Sequence, residues 1–349
     1  MSFEPNFLTT AIGSFPHTAD FAALCQRLAT TLDIPAWPQL PRRTFHENMY
    51  VQYSAGLPGI TLDDKQEKIF FDTTGDLSPA LEAFYARYLA EDIDSFAFSH
   101  DYATGFYTML DTLRTTPGQW AKGHVTGPIS FGLTVTDQDL RASLYNDLLA
   151  DAIVKQAALI ARWQIRQLRA ARSNVIIFVD EPYLASFGSA FISLSREQVI
   201  TLLDEVFEAI HAEGALAGVH CCANTDWSVL LGTQVDILNL DAYGYLENLA
   251  LYPAEVRVFL DRGGVVAWGI IPNNEDIFKV TPDGLAQRLR DGLALISNKA
   301  QARGVNIRAD ELAQRSLITT CCGLGPTSVE IAERAIETLV NTSDFLQRG

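Results

Sequence analysis

Ala215-Leu216-Ala217-Gly218-Val219-His220-Cys221-Cys222-Ala223-Asn224-Thr225-Asp226-Trp227 passes from a short apolar run into a polar loop. The run Ala215–Val219 reads as a buried strand, and a histidine and two cysteines stand where it ends. Side chains alternate along an extended chain, so His220 and Cys222 point to the same side and one metal ion can take both. A second pair, Cys321-Cys322, follows another apolar run, Leu317–Thr320. We read a zinc site from His220, Cys222 and one cysteine of the late pair.

Working outward from that stretch gives eight strand candidates: Thr9–Ile12, Ile34–Trp37, Gly123–Thr126, Val175–Val179, Ala215–Val219, Val235–Leu240, Val265–Trp268 and Leu317–Thr320. They are short, apolar and often β-branched, as strands covered on both faces are. Helical stretches separate most of them. Leu140–Arg172 is long and rich in Ala, Leu, Ile and Arg. Ser195–Ala212 opens with Ser195 and Gln198 in capping-box spacing and is followed by Gly214. Thr327–Val340 shows a second such spacing, Thr327 with Glu330. Alternating strands and helices over this length predict an α/β fold, an eight-stranded (β/α)8 TIM barrel, in a single domain spanning 1–349. Ile93–Phe98 is a ninth candidate, an extra strand or part of a helix-rich insertion. Gln39–Asp92 is polar and irregular, and is expected to fold over the barrel mouth.

Composition narrows the function. The chain has 349 residues, 48% of them hydrophobic and 19% charged, enough to bury a large core. A net charge of −16 argues against nucleic acid and anionic membrane surfaces. No apolar run is long enough to span a membrane. Met1–Thr10 lacks the basic-then-apolar pattern of a secretory signal, so a cytoplasmic protein is expected. There cysteines stay reduced, which makes the pairs ligands rather than disulfides.

Barrel enzymes work at the C-terminal ends of their strands. Read only there, the sequence offers Gly13-Ser14-Phe15-Pro16, Gly127-Pro128, Asp180-Glu181-Pro182-Tyr183, His220-Cys221-Cys222, Asp241, Gly269–Asn273 and Cys321-Cys322-Gly323. His, Cys and Cys with one open position form a catalytic zinc pattern, and an open zinc can hold a thiol as its nucleophilic thiolate. Against this stands the reading of the cysteines as small buried apolar residues. Asp241 is either a fourth ligand or a hydrogen-bonding residue of the mouth. Asp180 and Glu181 are adjacent and point apart; Asp180 is favoured to face the pocket, to hold an amine or to serve as acid and base. Gly13 and Ser14 offer backbone N–H groups to a carboxylate. His17, His46, His100 and His124 have no obvious partners. Trp227, Trp268 and Phe131 fit core packing better than cofactor stacking.

Several of these segments resemble one family. Thr10-Ala11-Ile12-Gly13-Ser14-Phe15-Pro16, Phe45-His46-Glu47-Asn48-Met49 and Val179-Asp180-Glu181-Pro182 are similar to segments of the catalytic domain of cobalamin-independent methionine synthase. His220-x-Cys222, the acidic residue ending Ile237–Asp241, and Cys322-Gly323-Leu324 resemble its zinc ligands, in the same order. The likeness is to the C-terminal half, as in single-barrel members, within the uroporphyrinogen decarboxylase-like barrels. His220–Thr225 also resembles the zinc motif of corrinoid-linked methyltransferases in that group. The resemblance implies a zinc-dependent methyltransferase moving a methyl group from a methyl-folate or a methyl-corrinoid to a thiol such as homocysteine. It implies Zn2+ on His220, Cys222, Asp241 and Cys322, with Ile12, Gly13 and Ser14 at the amino acid's carboxylate and Asp180 at its ammonium. Asp241 replaces the family's glutamate, Thr44 stands where a second glutamate is expected, and Trp268–Pro272 lacks a histidine of that region. The alternatives are a metal-free decarboxylase-like lyase, for which Arg42-Arg43 is the early arginine pair, a zinc-holding partner of a corrinoid protein without catalysis, and a glycosidase.

Overall fold

The computed structural model describes residues 3–189 and 192–348. Among the described residues nine strands appear in chain order: β1 (Leu8–Thr9), β2 (Ile60–Asp63), β3 (Lys68–Phe71), β4 (Trp120–Thr126), β5 (Asn174–Asp180), β6 (Leu216–Cys221), β7 (Ile237–Leu240), β8 (Val265–Ile271) and β9 (Ser316–Thr320). Seven of them form one curled parallel sheet in the order β1-β9-β8-β7-β6-β5-β4, and β2 and β3 form a separate antiparallel hairpin. Helices connect the parallel strands, as a parallel sheet requires.

The ladders do not establish a closed eight-stranded barrel. The expected strand Ile34–Trp37 is not a regular strand. It lies between the two edges of the sheet through single parallel bridges, Thr10 with Ile34 on one side and Ala36 with Lys122 on the other. Pro35 and Pro38 interrupt its donor series, which shortens the ladder that this stretch can form.

Alternation along the strands sorts the core into two layers. Ile176 and Phe178 of β5, Ile237 of β7, Val265 and Ala267 of β8, and Leu317 of β9 share one cluster with Ile34, on the concave side of the sheet. The intervening residues, such as Val175, Ile177 and Val179, belong to the larger cluster under the helices. Helix Asp147–Arg169 buries fourteen of its residues and carries a short Asn146 cap; the expected start at Leu140 is replaced by turns. Helix Arg196–Ala212 begins with the full capping box of Ser195 and Gln198. The last helix, Val329–Gln347, starts later than expected: Ser328, not Thr327, caps it by accepting from the Ile331 N–H at 3.2 Å.

Ile93–Phe96 is a 3-10 turn rather than a strand. The segment 39–92 holds the β2–β3 hairpin and helix Ser78–Leu89, so it is more ordered than its polar composition suggests. Among the described residues, no helix is long and apolar enough to cross a membrane.

Candidate metal and substrate site

The same alternation that buries Phe178 and Ile237 on the concave side carries Asp180, His220 and Asn239 there too. They sit side by side, Asp180 paired with His220 across β5–β6 and His220 with Asn239 across β6–β7. One row at the C-terminal end of the sheet therefore presents a carboxylate, an imidazole and an amide.

His220, Cys222 and Cys322 converge: one donor atom from each lies within 4.8 Å of the others. His220 is 3% exposed, and its Nδ1 hydrogen-bonds the Asn239 side-chain oxygen. Asn239 is fixed in turn, donating to the Ala267 carbonyl at 2.8 Å and the Thr319 hydroxyl at 2.9 Å. With its amide protons spent, Asn239 offers only an acceptor, so His220 carries its proton on Nδ1. Nε2 is left buried and, among the described residues, without a partner. Burial pulls the imidazole pKa down to about 4, which keeps the ring neutral. The Cys322 thiol hydrogen-bonds Cys222, bringing Cys222 down to about 7 and pushing Cys322 far up. A neutral imidazole with a free electron pair beside a shared thiol–thiolate pair is a donor set suited to zinc.

The other sequence-predicted residues fall around this set. Asp241 lies outside the three-donor cluster. Its carboxylate accepts from the Gly244 N–H at 2.7 Å and caps the short helix Ala242–Tyr245, while its charge is felt at Cys222. Cys221 and Cys321 are buried, donating to the Ala223 carbonyl and the Asn273 side-chain oxygen. Asp180 keeps one buried oxygen without a partner among the described residues, and burial raises its pKa to about 7 against the pull of Lys122. Glu181 points the other way. It accepts from the Ile129 N–H at 3.0 Å, the Ser130 N–H at 2.7 Å and the Ser130 hydroxyl at 2.6 Å, so it ties the start of helix Pro128–Thr134.

Ser14 meets the cysteine loop from the other edge of the sheet. Its carbonyl accepts from the Leu324 N–H at 2.9 Å and its hydroxyl from the Gly325 N–H at 3.3 Å. Gly13 stands at φ 147°, and a Cβ there would lie 2.6–3.1 Å from three ring atoms of His124. The Ile12–Ser14 turn and the His220–Cys222–Cys322 cluster thus border one mouth. Of the remaining histidines, His17 faces Glu333 at 3.3 Å, His46 meets Asp64 at 2.9 Å and His100 stacks on Tyr107. Trp227 and Trp268 are core residues, fully buried. Arg43 pairs with Glu47 at 2.9 Å, and Arg42 donates to the Pro326 carbonyl at 2.6 Å.

Sequence reading missed two groups. Asn239 sits inside an apolar strand and gains meaning only from its register against His220. Lys122 lies inside β4, wholly buried, with Nζ 2.6 Å from the Ile12 carbonyl and 4.3 Å from the centre of the Phe178 ring.

No protein-family model matches the chain, and no curated protein matches it either. Solved structures do. A B12-independent methionine synthase from Shewanella sp. W3-18-1, determined in complex with selenomethionine, superposes with a TM-score of 0.57 at 17% identity, covering 100% of this chain and 98% of that one. A methyltransferase from Methanosarcina mazei gives a TM-score of 0.53 at 12% identity, over 93% of this chain and 84% of that one. The fold is therefore one shared with these two proteins, in keeping with the resemblance that the motifs carry.

Proposed function

We propose that the chain is a single-domain, zinc-dependent methyltransferase that methylates a thiol. The observation that carries this reading is the convergence of His220, Cys222 and Cys322 with the His220 Nε2 unpartnered. A bound zinc ion would supply Lewis acidity that holds a substrate thiol as its thiolate at neutral pH. In this reading the stretch 34–39 closes the sheet into a barrel, and the mouth excludes water from the reacting sulfur.

The chain's own residues do the rest. Asn239 fixes the His220 tautomer and ring orientation. Asp241, whose charge reaches Cys222, would be the fourth residue to hold the ion. Asp180 offers its unpartnered oxygen to an ammonium group, and the Ile12–Gly13–Ser14 turn receives an acid group. Those two assignments define an amino-acid thiol, homocysteine or a close relative. The methyl donor is a methyl-folate or a methyl-corrinoid. The methionine synthase that shares the fold was solved with selenomethionine, a ligand of the same class as the product expected here.

The test is methyl transfer to a panel of thiols, with and without an α-amino group, from each donor in turn. Methylation of an α-amino thiol that disappears in Asp180→Asn supports the reading. Zinc-loaded protein that methylates no thiol from either donor would overturn it.

A further inference from the structure

Two buried side chains on β4 play no part in the function as stated, and both lie under the Ile12–Ser14 turn. Lys122 is 0% exposed, and no carboxylate lies within 4.0 Å of its Nζ among the described residues. A buried ammonium without a close counter-ion is expensive and is kept only where its charge or its hydrogen bonds matter. Among the described residues its side chain makes one hydrogen bond, to the carbonyl of Ile12, the first residue of the turn. Its ammonium also lies over the face of Phe178, which stabilises a cation without neutralising it. Asp180 is the carboxylate whose field reaches it.

His124 lies two residues on and points the same way. Its ring stacks on Trp37, with centroids 3.9 Å apart and planes 20° apart. Its edge lies against Gly13, where a Cβ would leave no room. Both ring nitrogens are buried and without partners among the described residues. Burial and the Lys122 charge keep the ring neutral, so it has one N–H to give and one lone pair to fill. A buried donor and a buried acceptor left unmet are costly, which marks the ring as built for a partner.

We propose that Lys122 and His124 form the floor of an acid-group subsite beneath Ile12-Gly13-Ser14, with Lys122 as the positioning cation and His124 as the hydrogen-bonding specificity residue. Lys122 fixes the turn through the Ile12 carbonyl and supplies the positive charge that an anionic group seeks. His124 selects for a group that can take its N–H. This rests on the amino-acid reading of the site, and it names which of the chain's own residues make the acid group obligatory.

Calorimetric binding to the zinc-loaded protein tests it, with L-methionine and L-methioninol as probes; the alcohol keeps the amine and lacks the acid. The wild type is expected to favour methionine by about tenfold or more, a difference of about 1.4 kcal/mol. Lys122→Gln keeps a donor for the Ile12 carbonyl and loses the charge; His124→Leu loses both nitrogens. Each should cut the preference for methionine while methioninol binding stays within about twofold. If Lys122→Gln fails to fold, Lys122→Met fills the same buried volume and reads the same loss of charge. Variants that fold and keep the full preference for methionine would overturn the assignment of Lys122 and His124 alone. Wild-type protein that binds the two probes equally would show that no acid subsite exists. Wild-type protein that binds neither would overturn the amino-acid reading itself.

Discussion

His220 is held by Asn239 through Nδ1, and this one bond decides what its other nitrogen can do. Asn239 donates both its amide protons elsewhere, so its oxygen must accept and His220 must donate. The lone pair of Nε2 is thereby presented at the cysteines, as a metal ligand's should be. Asn239→Ala removes that constraint. Zinc affinity should fall about 10- to 100-fold, the usual cost of losing an outer partner of a ligating histidine. Competition with a chelating dye measures it; unchanged affinity would show that Asn239 serves only the strand.

Glu181 holds helix Pro128–Thr134 through three hydrogen bonds to Ile129 and Ser130. It should therefore matter for stability and little for the chemistry. Glu181→Gln can accept from one group but presents an amide to another donor. Urea unfolding should show a loss of about 1–3 kcal/mol. A variant as stable as wild type would mean that the loop is held by other contacts.

Gly13 pairs a left-handed φ of 147° with the His124 ring edge standing where a Cβ would go. Gly13→Ala must strain the backbone and displace His124. A stability loss of about 1–3 kcal/mol is expected, together with weaker binding of the amino-acid probe. Unaltered stability and binding would place the turn away from the site.

His211 and Asp236 meet at 2.8 Å, and this bond raises the His211 pKa against the opposing pull of burial. A histidine with a raised folded pKa binds its proton more tightly in the folded state. Its contribution is complete below the unfolded value of about 6.5 and fades as the pH climbs through the raised one. Both groups are about a third exposed, so the effect is about 1 kcal/mol or less. The stability difference between wild type and His211→Gln should be largest near pH 5.5 and shrink towards about pH 8.5. A difference that grows with pH would reverse the account of this pair.

Much of the architecture could be read from residues alone, because a strand covered on both faces must be apolar throughout. Val175–Val179, Val265–Trp268 and Leu317–Thr320 all lie within strands of the sheet. The reading failed where a segment's conformation is set by its surroundings. Ile34–Trp37 has strand-like residues, but two prolines limit it to bridges. Ile93–Phe98, open between an extra strand and a helix-rich insertion, belongs to the latter, with Ile93 and Phe96 reaching the core from a 3-10 turn between two helices. The cap of the last helix moved by one residue because Thr327 is spent on the Leu324 carbonyl, which leaves Ser328 to accept.

The site divides in the same way. His220, Cys222 and Cys322 are residue types whose chemistry is visible in isolation, and the structure brings them together. Asn239 and Lys122 are ordinary until their distant partners are known. Lys122 reaches Ile12 across 110 positions of sequence, which no local pattern announces. Asp180 and Glu181 could be told apart only in outline from their alternation; the partners of Glu181 complete the distinction.

The most direct test of the central claim is the metal content of the purified protein, by atomic emission, for wild type and Cys222→Ala prepared without chelators. The account predicts about one zinc per chain in the wild type, one ion filling the three-donor set, and its loss in the variant. Zinc absent from both, or retained in full by Cys222→Ala, would contradict it.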